Sequence, residues 1–176
     1  MSYFLTAYLV NLADLKSVIG SKDESILRDI DPIIEETCED DEEEAAAQRG
    51  AVRSLIMGEP LDPGNAARYG CAFWHICRVK GEELLPDAWG GIRWDSVKAC
   101  GLEELLTKTG PPVALPPNSD IPHIAYLKRD QIAKYIEAAK KKLDESEGAV
   151  IGLLEEYLWW LETAQSKNRD IVLIYG

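Results

Sequence analysis

The two ends of this chain are its most strand-like segments, and that constrains the fold more than any other feature. Residues 3–10 read YFLTAYLV and residues 170–175 read DIVLIY. Both runs are rich in β-branched, aromatic and aliphatic types on both alternate faces, so neither leaves a face for water. Strands of that kind belong inside a sheet, and two of them at opposite ends imply that the ends meet in space. Residues 123–127 and 113–115 are candidate third and fourth strands.

Between the ends the apolar period changes from two to 3.6. Leu12, Leu15, Val18 and Ile19 form a short helical stripe that stops at Gly20. Ser21 and Glu24 have capping-box spacing before Ile26, Leu27 and Ile30. Asp31-Pro32 reads as a fresh helix start, because proline is tolerated in a first turn. Further helices are predicted over 45–57, stopped by Gly58, and around Tyr69, Phe73, Ile76 and Cys77, ending near Gly81. Residues 95–109 read as a helix interrupted at Gly101. The stripes Ile132, Tyr135, Ile136, Ala139, Leu143 and Ile151, Leu154, Leu158, Leu161 give the last two. Five of the nine prolines fall in 110–122, which predicts a stiff, extended connection. The expectation is an α+β fold: a predominantly helical single domain, residues 1–176, around a small sheet that includes both terminal strands.

Charge is distributed unevenly. Between residues 23 and 44 there are 12 acidic residues and one base, Arg28, a local net of −11. The whole chain carries −12, so everything outside that stretch sums to −1. A concentrated negative flank biases which partners approach and how fast. Its densest part, Glu39, Asp40, Asp41, Glu42, Glu43 and Glu44, is a candidate surface for a basic protein. It also directly precedes a predicted helix, whose positive end favours carboxylates, so a purely local role explains it as well. The stretch 23–44 is open to partial mobility. The only basic run, Lys140 to Lys142, is too small for a nucleic-acid surface. No segment approaches the ~20 apolar residues of a membrane helix. Without a basic, apolar leader at its start, the chain is expected in the cytoplasm.

Chemistry-bearing residues are few. The four cysteines, at 38, 71, 77 and 100, include no Cys-x-x-Cys pair and read as reduced thiols. Cys71 and His75 stand four apart on a predicted helix, but a metal needs three or four ligands and Cys77 points elsewhere. His75 is one of two histidines, hence a candidate acid–base group, yet its neighbours read as core packing. Trp89, Arg93 and Trp94 frame a glycine-containing loop that could hold a flat ligand. The alternative is that both tryptophans cover the core while Asp95 caps the next helix. No cofactor motif and no catalytic constellation is visible.

Three segments carry a resemblance: the opening Met1-Ser-Tyr through Tyr8-Leu-Val, the loop GPPVALPP at 110–117 followed by IAYL at 124–127, and the closing DIVLIY. Together they resemble a bacterial domain of unknown function, and they are distantly similar to the YfbM-like proteins, which also begin and end with strands. The resemblance implies a mixed α+β fold and a bacterial cytoplasmic origin; it brings no activity and no functional residues. The function expected is therefore a non-enzymatic protein-interaction module, of immunity type or regulatory, with an acidic flank. The alternative is a small-molecule binder or enzyme with a pocket near His75 and the 89–94 loop.

Overall fold

A computed structural model describes residues 3–38, 41–85, 88–118 and 120–176. The chain forms two compact units. One gathers the described residues of Met1–Val10, Glu82–Gly110 and His123–Gly176; the other comprises those of Asn11–Gly81 and Pro111–Pro122.

The first unit is built on a four-stranded antiparallel sheet. Its strands are β1 (Leu5–Val10), β2 (Glu82–Leu84), β3 (His123–Leu127) and β4 (Asp170–Tyr175), in the order β2-β1-β4-β3. The two terminal strands are its central pair, in register from Leu5 opposite Tyr175 to Val10 opposite Asp170. Every residue of both is buried, which explains their two-sided apolar composition. The pairing continues past the strand ends, where Phe4 N–H donates to Gly176 O at 2.9 Å and Gly176 N–H returns to Phe4 O at 3.2 Å. β2 is different: Glu82 and Glu83 are exposed, as suits an edge strand, so its sequence carries no apolar signal.

Four helices complete this unit: α5 (Trp94–Ala99), α6 (Glu103–Lys108), α7 (Ile132–Asp144) and α8 (Val150–Ser166). α6 and α8 pack on the sheet, and α7 packs on α8. The break between α5 and α6 falls at Gly101, whose φ of +75° is one that glycine adopts without a steric penalty. Residues 113–115 form no strand; with four prolines flanking them, two on each side, they run as irregular chain.

The second unit is helical: α1 (Leu12–Val18), α2 (Glu24–Thr37), α3 (Glu42–Met57) and α4 (Ala66–Lys80), with a short 3-10 turn at Pro63–Asn65. α4 packs against the other three, and α2 against α3. The cap of α2 is Asp23, whose carboxylate accepts from Ser25 N–H at 2.9 Å; Ser21 accepts from Asp23 N–H one turn earlier. Nor does a new helix start at Pro32. The proline lies inside α2, because the buried stripe Ile26, Ile30, Ile34 runs straight through it and the ring sits on the exposed side. Packing of that stripe outweighs the local penalty of a proline. α3 ends at Gly58 with φ +69°, and a Cβ there would stand 3.1 Å from the Gly20 Cα.

Candidate functional site

The acidic flank maps onto the α2–α3 hairpin of the second unit. Glu39 and Asp40 lie outside the described residues. Asp41 caps α3, accepting from Glu44 N–H at 2.9 Å, and Glu42, Glu43 and Glu44 fill the first turn. The local logic is the one expected: carboxylates at a helix start answer unpaired N–H groups and the positive end of the dipole.

Three arginines then sort the carboxylates. Arg49, on α3, reaches both Asp31 and Glu35 on α2, the second at 3.4 Å. Arg78, on α4, pairs with Glu36 at 3.1 Å, and Arg68, also on α4, pairs with Glu44 at 3.1 Å. Glu44 additionally accepts from the Gln48 amide at 2.9 Å. These pairs fasten α2, α3 and α4 to one another and neutralise part of the flank. Each is partly exposed and worth at most about 1 kcal/mol, so their effect is on geometry more than on stability. Among the described residues, Glu24, Asp29, Glu42 and Glu43 are exposed and make no ion pair.

Beside these acids, α2 and α3 enclose a cavity of about 240 Å³ with a floor of Leu27, Ile30, Ile34 and Val52. Its rim is Arg28, Asp31, Arg49 and Arg53. Sequence reasoning located the acids and Arg28 but not this rim, whose other two arginines, Arg49 and Arg53, come from α3.

The other candidate residues are distributed between the two units. His75 sits on α4 of the second, 6% exposed, with no hydrogen-bond partner for Nδ1 among the described residues. Burial, helped by the charge of Arg78, lowers its pKa to about 4. Cys71, four residues earlier, is half-buried and its thiol is pushed up by burial; Cys77 is fully buried. Among the described residues no three His, Cys, Asp or Glu side chains stand where they could share a metal ion.

Trp89, Arg93 and Trp94 belong to the first unit. Trp89 is buried and donates from Nε1 to Leu153 O at 2.9 Å, with its ring 6.1 Å from that of Trp160. Trp94 is half-buried in a ring cluster, tilted against the His123 ring at 4.9 Å and edge-on to Tyr175 at 5.0 Å. Arg93 is exposed at the N-cap of α5, and Asp95 lies inside the first turn of that helix rather than capping it. Both tryptophans therefore serve the packing of the sheet end and of α8.

The architecture is that of an α+β protein, helices together with an antiparallel sheet whose central pair is the two terminal strands. Over residues 1–176 the sequence matches the family described as domain of unknown function DUF7691, and the chain belongs to that family. No curated protein matches it. No solved structure matches it either. Among the described residues no helix is long and apolar enough to cross a membrane.

Proposed function

We propose that this protein is a non-enzymatic interaction module, immunity-type or regulatory, that docks a basic protein on the α2–α3 face of its second unit. The observation that carries the reading is the exposed pair Glu42 and Glu43, which make no ion pair among the described residues, on a frame that arginines hold fixed. A preformed charged surface attracts its partner without first ordering side chains, and so favours fast, salt-sensitive association. The apolar floor between α2 and α3 would give such a partner a place to bury an anchor side chain.

The test begins with a partner recovered at low salt, identified and purified. Its affinity should fall roughly tenfold in the protein carrying Glu42→Gln with Glu43→Gln, and fall again with rising ionic strength. An affinity indifferent to both changes refutes the reading. We further infer a bacterial, cytoplasmic protein distantly akin to the YfbM-like proteins. Its support is the shared strand-bracketed α+β plan and four free cysteines, as a reducing compartment would keep them. Fractionation of the source cells tests the location.

A further inference from the structure

Charged residues frame the cavity between α2 and α3 in successive levels, and the levels differ in sign. At one level Arg49 of α3 reaches across to Asp31 and Glu35 of α2. The two helices form a hairpin, so a step back along α2 corresponds to a step forward along α3. Arg28 precedes Asp31 by three residues and Arg53 follows Arg49 by four, spacings that keep side chains on one helix face. The next level therefore sets Arg28 opposite Arg53, cation against cation.

Both of these arginines line the cavity, and both are exposed. Neither makes an ion pair among the described residues, although Glu24 lies four residues before Arg28 on the same helix. Asp31 and Arg49, the other charged lining residues, already answer each other. The rest of the lining is apolar: Leu27, Ile30, Ile34 and Val52, the last three buried. At about 240 Å³ the space exceeds the ~150 Å³ of a dry apolar cavity known to accept benzene.

Two facing cations over an apolar floor define a chemical class. We propose that the α2–α3 cavity binds a small monocarboxylate with a compact aryl or alkyl body. The carboxylate lies between the guanidinium groups of Arg28 and Arg53, whose planar forks match its two oxygens, and it relieves their repulsion. The body rests on Leu27, Ile30, Ile34 and Val52. One negative charge suits the place better than two, because Asp29, Asp31 and Glu35 stand close by and repel a second. The site needs no partner protein and so does not rest on the docking reading, though a ligand here takes the place of a partner's anchor side chain.

Phenylacetate is the probe, titrated into the full chain while the methyl resonances of Leu27, Ile30, Ile34 and Val52 are followed by NMR. Saturable shifts confined to these methyls are expected, with Kd near ~1 mM or below. Arg28→Gln and Arg53→Gln change only exposed side chains. Each should weaken binding severalfold, and the two together about tenfold, with most of the salt dependence lost. Phenylacetamide, the uncharged isostere, should bind about fivefold more weakly or worse. Benzyl phosphate, a dianion at neutral pH, should bind no more tightly than phenylacetate. Glu42→Gln with Glu43→Gln, which tests the docking reading, should leave the affinity equal or slightly raised, so each idea can fail without the other. The proposal is overturned if the shifts are absent or scattered over the surface, or if the double arginine variant binds equally well. It is equally overturned if the amide matches phenylacetate, if benzyl phosphate binds more tightly, or if the double glutamate variant binds more weakly.

Discussion

Burial suppresses the protonation that a histidine shows at mildly acidic pH, and His75 gives this a measurable form. Unfolded, the ring takes up a proton near its ordinary pKa of 6.5; folded, it does so only at about 4. Between those values the unfolded state binds more protons, so stability rises with pH. The contribution of the neutral ring is complete above pH 6.5 and is lost as pH falls toward 4, an effect of order 3 kcal/mol. His75→Leu removes the titrating group. Urea denaturation from pH 7 to 4 should then show a loss of stability smaller by about that amount than in the natural protein. A second buried residue makes the opposite kind of point. Tyr157→Phe deletes a buried hydroxyl that has no hydrogen-bond partner among the described residues and keeps the ring. It should be neutral or stabilising by about 1 kcal/mol, where deletion of a bonded tyrosine hydroxyl would destabilise. Neither consequence is visible in sequence, because a 3.6-residue period shows that His75 and Tyr157 face inward but not whether their polar atoms find partners.

At the level of elements, the helix ends carry information that the helix middles do not. Gly58 and Gly101 both adopt left-handed backbone, with φ of +69° and +75°. They differ in their surroundings: a Cβ on Gly101 meets nothing within 4 Å, while one on Gly58 stands 3.1 Å from backbone of Gly20. Gly101→Ala should therefore cost about 1 kcal/mol, the conformational penalty alone. Gly58→Ala should cost clearly more, since two backbones must separate as well, and paired chemical denaturation curves measure the difference. Both glycines were legible as helix stops. So were the terminal strands, whose two-sided apolar composition has no other use, and six of the helix stripes. β2 and the unbroken course of α2 were not. β2 has the composition of a solvated turn because only Leu84 points inward, and Pro32 looks like a helix start because local propensity ignores the isoleucine stripe that holds α2 together. The acidic flank was legible as the start of α3, but its arginine partners lie further along the chain, Arg49 on α3 itself and Arg68 and Arg78 on α4.

For the molecule as a whole, topology decides what each end of the chain is worth. β4 pairs with β1 on one side and β3 on the other, so its removal takes away both of the longest ladders in the sheet. A chain ending at Arg169 should lose the cooperative unfolding transition of the first unit. Four of the five tryptophans, all except Trp74, lie in that unit, so near-ultraviolet circular dichroism and fluorescence should report the loss directly. The same arrangement fixes an order of events during synthesis. β1 is translated before every other strand and helix described, and its two apolar faces stay uncovered while the helices of Asn11–Gly81 emerge behind it. Its partner is translated after every other strand and helix described. Until then the nascent protein carries an unmatched strand edge, open to capture by chaperones or by other chains, and this exposure lasts while residues 11–169 are made.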